Sequence, residues 1–314
     1  MIIAGMSTSS SNATAAGAVR LAHWGVIRAS GADAATFLHG QLTQDVEHLG
    51  PDSARLAGFC SPKGRLLASF VIWRPSPDEV LLACSADLLP AALKRLSMFV
   101  LRARCKLVDA SGDVALWGVA GHAAREALGA AASIEPWQGA AVGAARVIRL
   151  PDADGQPRWL WAAAPSDAPA LPPLDPNAWD ALEVRAGLAR VVARTADQFV
   201  PQMLNYEIVG GVDFRKGCYP GQEVVARSQY RGTIKRRALR FDTDAEASPG
   251  DEVFAAGDPS QPAGMVANAA REAGGSVLLV ELKLASAGDT LHLRSPDGPL
   301  LRRAALPYDL PADA

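Results

Sequence analysis

The chain has 314 residues, of which 49% are hydrophobic and 20% charged, and its formal net charge is −2. This length allows about two domains with large buried cores, and the composition excludes disordered, coiled-coil, collagen-like and small secreted proteins. Because positive charge is not in excess, the protein as a whole does not attract nucleic acid or anionic membranes, so any polyanion site must be local.

Residues 1–18 are small and polar and show no periodicity, which predicts a flexible N-terminal arm. No basic flank precedes its short apolar start, so we expect no secretory signal, and no run approaches the ~20 apolar residues of a membrane span. The cysteines form no C-x-x-C pair and the histidines show no ligand spacing. We therefore expect a reducing, cytoplasmic location and no metal site.

The first two thirds of the chain alternate irregularly between short strands and helices. The strand patterns cover residues 24–29, 55–61, 65–73, 79–84, 105–108, 113–119, 145–150 and 158–163. Helical patterns begin at Asp33, cover residues 88–100 and 177–187, and continue through an alanine-rich stretch at 122–132. The turn Pro62-Lys63-Gly64 predicts a hairpin. This mixture favours an α+β fold over a doubly wound parallel sheet.

A proline-rich connection at residues 165–176 precedes the last of these helices, and residues 188–211 show no clear period. Six short alternating runs then follow from about Lys235, separated by Gly, Pro and Asp at intervals close to ten residues. They cover residues 237–242, 251–255, 263–269, 276–282, 290–294 and 300–305. This pattern predicts a small antiparallel barrel after a domain boundary near residue 235.

A lone cysteine, Cys218, lies in the run Lys216-Gly217-Cys218-Tyr219-Pro220-Gly221-Gln222-Glu223. A helix can start after Pro220 with Glu223 in its first turn. The helix N-terminus and the neighbouring cations favour the thiolate form of an exposed cysteine. The residues around Cys218 are equally compatible with a reactive thiol and with a loop cysteine that serves only packing.

Residues 213–240 contain eight cations and two anions, a local charge of +6 in a chain of −2. One interpretation is an anion site for carboxylates or phosphates, because the planar guanidinium of arginine can form two parallel hydrogen bonds to either group. The other is a barrel edge on which cations discourage strand pairing, and this is favoured for residues 235–237.

The eight-residue run resembles the K-G-C-[FY]-x-G-Q-E signature of the YgfZ family of folate-binding proteins, distant relatives of the glycine-cleavage T protein. Other stretches resemble the family in the same order, from Trp24 to Leu306-Pro307-Tyr308, so the similarity covers residues from about 20 to 310. The resemblance implies two intertwined α+β subdomains over residues 19–235, with antiparallel sheets and helices around a central cavity, and a β-barrel over residues 236–314.

The resemblance also implies a folate site. The cofactor is expected to be tetrahydrofolate or another reduced folate, with the pterin between the large π faces of Trp24 and Trp179. Cys218 is expected to act as a functional thiol that opens onto the same chamber. The other residues expected at the folate site are Gln202, Asn205, Lys216, Tyr219, Gln222, Glu223 and Arg227.

The family function implied is support of iron–sulfur enzymes, including those that thiolate tRNA. The expected partners are folate and iron–sulfur client or assembly proteins, with an indirect tRNA contact and no membrane. One cysteine cannot hold a cluster alone, so a partner or glutathione must supply further ligands.

The alternative function is a tetrahydrofolate-dependent aminomethyltransferase, like the T protein, or a related demethylase. The stretch after Lys63-Gly64 resembles the one that carries the T protein's aspartate, yet Ala68 and Ser69 stand where acids are expected, and a hydroxyl is no substitute as a base. Arg185 stands where a folate-contacting carboxylate is expected, and Glu183 is expected to project elsewhere.

Overall fold

A computed structural model describes residues 16–230 and 234–311. These residues form sixteen strands and five α-helices. The strands are β1 (Gly17–Arg20), β2 (Trp24–Ser30), β3 (Ala54–Cys60), β4 (Leu66–Ser76), β5 (Glu79–Ser85), β6 (Lys106–Asp109), β7 (Ala115–Ala120), β8 (Gly139–Val142), β9 (Ala145–Ala153), β10 (Gln156–Ala163), β11 (Arg236–Thr243), β12 (Glu252–Ala255), β13 (Gly264–Glu272), β14 (Gly275–Lys283), β15 (Leu291–Leu293) and β16 (Leu300–Ala304). The helices are α1 (Ala34–His39), α2 (Leu89–Ser97), α3 (Ala124–Leu128), α4 (Pro176–Arg185) and α5 (Gln222–Tyr230).

The first ten strands form two antiparallel sheets of five strands each, in the orders β1-β7-β10-β9-β8 and β3-β4-β5-β2-β6. The chain enters the first sheet with β1, builds the whole second sheet, and then returns to the first. One buried cluster joins both sheets to α4, since it contains Val26 and Trp73 from the second sheet, Leu160 from the first, and Leu182 from the helix. The two sheets therefore share a core that α4 completes.

The last six strands close into an antiparallel barrel in the order β11-β14-β13-β12-β15-β16. Its interior is filled by alternating aliphatic side chains such as Leu239, Val280 and Leu293. The pairing of β13 with β14 shifts register between Val266 and Asn268, which marks a β-bulge. The predicted α+β class with a C-terminal barrel is confirmed, and each predicted barrel run corresponds to one strand.

Other elements differ from the sequence prediction. Strand β1 begins at Gly17, inside the predicted arm, because Gly17 to Arg20 pair with β7. The rest of that arm, residues 1–15, lies outside the described residues. Helix α2 ends at Ser97, so Phe99, predicted on its apolar face, is 45% exposed. Among the described residues, no helix is long and apolar enough to cross a membrane.

Candidate functional site

A cavity of about 430 Å³, including the space at its mouth, lies where the two sheets and α4 meet. It is called the Trp24 cavity below. Its lining residues include Trp24, Ser69, Trp137, Arg158, Glu183 and Arg190. A mainly apolar wall with a few charged groups is typical of small-molecule sites.

Trp24, the first residue of β2, is half-buried and faces Arg190. The guanidinium carbon of Arg190 lies 5.1 Å from the centre of the indole ring, a cation–π distance. Arg190 also donates to the Ser85 hydroxyl at 2.9 Å. Its Nε is buried and has no hydrogen-bond partner within residues 16–230 and 234–311, which leaves a donor for a polar ligand.

Arg158, from β10, supplies a second buried cation to the cavity wall. It is 1% exposed, and its Nε donates to the Pro151 carbonyl at 3.1 Å. Burial lowers the pKa of Arg158 to about 10, so it remains charged near neutral pH. A buried charge of this kind favours an anionic or carbonyl-rich ligand.

Trp179 lies behind Arg158 and is not among the described residues that line the cavity. The indole is 1% exposed and packs on Gly118, where a Cβ would come within 2.3 Å of the ring. The Arg158 guanidinium lies over the same ring, 5.4 Å from its centre. The expectation of two indoles lining one chamber is therefore corrected: Trp24 lines it, and Trp179 supports the arginine that lines it.

Glu183 lines the cavity, contrary to the expectation that it projects elsewhere. Its carboxylate lies 3.5 Å from Arg190. Arg185, two residues later, points away and pairs with Glu272 at 2.5 Å. Because successive helical residues turn by about 100°, Glu183 and Arg185 lie on different faces of α4, and the cavity faces Glu183.

Ser69, at the position where the T protein is expected to carry an acid, lies on the cavity wall and is 4% exposed. Its hydroxyl accepts a hydrogen bond from the Val191 backbone N–H at 2.9 Å. Tyr206 donates from its hydroxyl to the Ala189 carbonyl at 2.6 Å. These two contacts fix the segment that carries Arg190, so Ser69 has a positioning role in the wall.

Cys218 belongs to a different segment from the residues that line the cavity. It lies in residues 216–221, which directly precede α5 and are called the Cys218 loop below. Cys218 is the exposed cysteine, whereas Cys60 and Cys84 are buried. Burial raises the pKa of each of those two thiols to about 12, so both stay protonated near neutral pH. Glu223 lies in the first turn of α5, as predicted from Pro220.

Two glycines hold the Cys218 loop against the turn between β3 and β4. Gly221 has φ +81°, and a Cβ there would lie 2.4 Å from the Ser61 carbonyl oxygen and 2.7 Å from the Gly64 Cα. Gly64, at φ +72°, faces Val224 in return. Both positions require glycine, first for the left-handed backbone and second for the close approach.

Lys216 and Tyr219 of this loop serve its packing. Lys216 is 9% exposed and its ammonium donates to the carbonyls of His39 and, at 3.0 Å, Leu42, where α1 ends. The same nitrogen lies 4.8 Å from the centre of the Tyr219 ring. Burial lowers the pKa of Lys216 to about 8, and nearby acids oppose this fall only in part.

Gln202 and Asn205 are completely buried in a polar network that joins the barrel to the rest of the chain. Gln202 donates to the Val225 carbonyl of α5, and Asn205 to the Ala238 carbonyl of β11, each at 2.8 Å. Asn205 also donates to the Tyr308 hydroxyl at 3.2 Å, which in turn donates to the Gly187 carbonyl at 2.8 Å. This network links α5, the barrel and the end of α4.

Three arginines of the predicted cation cluster form close ion pairs. Arg236 pairs with Glu281, Arg237 with Glu207 at 2.6 Å, and Arg240 with Asp154 at 2.7 Å. β11 pairs with β14 from Arg236 to Thr243 but with β16 only from Arg240 to Asp242, so Arg236 and Arg237 are paired in the sheet on one side. Three predicted site residues of α5 lie toward the surface: Gln222 half-buried, Glu223 exposed and Arg227 exposed.

The Trp24 cavity and the Cys218 loop are separate. Among the described lining residues of the cavity, none belongs to residues 216–227. The cavity lies between the two sheets, whereas Gly221 sits on the turn after Cys60, at the end of the β3–β4 hairpin. The expected opening of the Cys218 sulfur onto the pterin chamber is therefore not found.

Arg190 was missed at the sequence level. The available signal was a lone arginine within the apolar run Leu188-Ala189-Arg190-Val191-Val192, directly after the glycine that ends α4. A cation flanked by buried aliphatic residues is rarely left without a function or a partner. Because this stretch has neither helical nor strand periodicity, the sequence pattern did not single out Arg190.

The chain is similar to several known proteins. Residues 10–152 match the GCVT N-terminal domain. A tRNA-modifying protein YgfZ from Edwardsiella ictaluri is 34% identical, with 92% of each chain covered, and one from Sodalis glossinidius is 30% identical, also with 92% of each covered. Among solved structures, a glycine cleavage system aminomethyltransferase T from Bartonella henselae superposes with a TM-score of 0.73 at 18% identity, covering 94% of this chain and 86% of that one.

Proposed function

Because the chain belongs to the family of the tRNA-modifying protein YgfZ, we propose that it is a folate-binding accessory factor. In this proposal it supports iron–sulfur cluster assembly or repair in enzymes such as those that thiolate tRNA. The observation that carries the folate part is the Trp24 cavity, with two indoles (Trp24 and Trp137), two guanidinium groups and one carboxylate around an apolar space.

A reduced folate matches this set of groups. The pterin is flat and apolar on its faces, which suits the half-buried indole of Trp24. Its rim carries a carbonyl and ring nitrogens, for which Arg190 offers the unpartnered Nε–H. Arg158 and Arg190 also favour the negative charge of the folate tail, because each brings a guanidinium group to a largely apolar wall.

The second part of the proposal assigns Cys218 as the functional thiol. It is exposed, and it sits on a loop fixed by Gly221 and Lys216. A cluster or sulfur-carrying partner can reach it from solvent, while the folate occupies a separate cavity. Since one thiolate cannot hold a cluster, the partner protein or glutathione provides the remaining ligands.

The folate assignment is tested by calorimetric titration of the full chain with tetrahydrofolate. We expect saturable binding with one site, weakened by replacement of Trp24 or Arg190. Binding that is absent, or unchanged in both variants, would overturn the assignment to this cavity.

The thiol assignment is tested in cells that lack the gene for this chain. Thiolated nucleosides in tRNA are measured by mass spectrometry after complementation with the wild type, Cys218→Ser or Cys105→Ser. We expect restored thiolation with the wild type and with the half-buried Cys105 variant, and loss with Cys218→Ser. Full restoration by Cys218→Ser would reject a role for this thiol.

The alternative is aminomethyl transfer to tetrahydrofolate, which the fold similarity to aminomethyltransferase T favours. Ser69 argues against it, because a hydroxyl bonded to Val191 does not supply the carboxylate expected at that position. Incubation with tetrahydrofolate and an aminomethyl donor decides the matter: measurable methylene transfer would support the alternative and remove the purely accessory role.

A further inference from the structure

Three potential metal ligands meet at the edge of the Trp24 cavity. His23 immediately precedes β2, while Asp180 and Glu183 lie three residues apart on one face of α4. One ligand atom from each of the three residues lies within 4.8 Å of the others. His23 Nε2 lies 3.5 Å from Asp180 Oδ1. Asp180 and Glu183 are neighbours on the helix, whereas the fold brings in His23 from 157 positions before Asp180.

The protein groups do not satisfy this cluster by themselves. Asp180 Oδ1 is buried and has no hydrogen-bond partner within the described parts of the chain. Its distance of 3.5 Å from the imidazole nitrogen is too long for a good hydrogen bond. A buried carboxylate oxygen without a donor is costly, and a bound cation would satisfy it.

Glu183 has a second oxygen beside its ion pair. Its Oε2 lies 3.5 Å from Arg190, and the charge of Arg158 also acts on this carboxylate. A carboxylate has two oxygens, so Glu183 can contact Arg190 with one and an ion with the other. The side chains of His23 and Asp180 are 41% and 36% exposed, so an ion can enter from solvent.

We infer that His23, Asp180 and Glu183 form a binding site for one divalent transition-metal ion at the mouth of the cavity. One imidazole and two carboxylates suit zinc, manganese or ferrous iron better than calcium or magnesium, which take oxygen ligands alone. Three protein ligands leave coordination positions open, as in catalytic rather than structural sites. The site goes beyond the proposed folate and thiol functions and does not depend on either.

The test is calorimetric titration of chelator-treated full-length Cys218→Ser protein with Zn²⁺, without folate. The Cys218→Ser background removes the exposed thiol as a competing ligand. We expect one bound ion per chain and an affinity at least about tenfold lower in each of His23→Gln, Asp180→Asn and Glu183→Gln, the size of effect typical for losing a metal-site group. Thermal unfolding of each variant shows that it is folded.

A second His–Asp cluster provides the matched control. His39 and His48 lie 3.0 and 2.8 Å from the two oxygens of Asp45. We expect His48→Gln to leave the zinc affinity unchanged. Zinc binding that follows His48 and ignores His23, or no binding to the parent protein, would overturn the inference.

Fluorescence gives an independent readout. Co²⁺ quenches nearby tryptophans, and Trp24 directly follows His23 in the chain. Saturating Co²⁺ should quench part of the emission of the parent protein, and Trp24→Phe should remove that part. Quenching that is equal in both proteins would place the ion elsewhere and contradict the site.

Discussion

Asn268, on β13 of the barrel, holds both backbone polar groups of Arg190 in the cavity wall. Its side-chain oxygen accepts the Arg190 N–H at 2.9 Å, and its amide nitrogen donates to the Arg190 carbonyl at 2.9 Å. The β-bulge between Val266 and Asn268 interrupts the regular ladder just before this residue. The barrel therefore positions a cavity residue that belongs to another part of the fold.

The first prediction concerns this contact. Asn268→Ala should lower the affinity for tetrahydrofolate severalfold and the free energy of unfolding by about 1–3 kcal/mol, because two backbone groups lose their partner. Calorimetric titration and urea unfolding measure the two effects. Gln261→Ala, on an exposed barrel loop, is the control and should change neither. Unaltered folate affinity in Asn268→Ala would show that Arg190 is held by its other contacts alone.

The second prediction concerns Trp24. Trp24→Ala should weaken folate binding about tenfold or more, equivalent to about 1.4 kcal/mol, because a stacking surface is lost. Trp161→Ala is a matched control, since Trp161 lies on β10 and donates to the Asp167 carbonyl at 2.9 Å, away from the lining residues of the cavity. Titration of both variants with tetrahydrofolate separates them; equal affinities would exclude stacking on Trp24.

The third prediction compares two glycines of similar backbone conformation. Gly221, at φ +81°, has no room for a Cβ, whereas Gly210, at φ +78°, has no heavy atom within 4 Å of one. Gly210→Ala should cost only the backbone strain, about 1 kcal/mol, and Gly221→Ala clearly more, because the Cys218 loop must also move away from the β3–β4 turn. Urea unfolding measures both. Equal losses would mean that the loop does not press on the turn.

The fourth prediction is a pH dependence of stability. The pKa of Lys216 is lowered to about 8 in the folded protein, from an ordinary value of 10.5, chiefly by burial. The unfolded chain therefore binds more protons between these values, so this lysine adds stability as pH rises from about 8 to 10.5. The effect is complete above that range and is lost as pH falls through 8.

The difference in unfolding free energy between the wild type and Lys216→Met isolates this effect from other titrating groups. It should change in favour of the wild type as pH rises across that interval. A difference that is flat with pH would show that the Lys216 ammonium is not desolvated in the folded chain.

The sequence predicted the barrel well because its six runs alternate apolar and polar residues and end at Gly, Pro or Asp. The start of α5 was likewise predictable from Pro220. The cavity was harder to predict from the sequence, because its residues come from β2, β3, β4, β9, β10, α4, the segment after α4 and the loop that carries Trp137. Trp179 illustrates the limit: nothing in its own helix shows that Gly118 of β7 will receive its ring. Glu183 and Arg185 illustrate a second limit. Helical spacing predicts that these two residues lie on different faces of α4, but it does not predict which face lines the cavity.

Tyr308 has a practical consequence for handling the chain. The last strand ends at Ala304, so a cut after it would look harmless, yet Tyr308 follows and packs on Gly187, where a Cβ would come within 2.6 Å of its ring. Truncating the chain or fusing another protein directly after β16 would disturb the contact of Tyr308 with Gly187, which lies three residues before Arg190. Purification tags and shortened versions should leave this tyrosine in place.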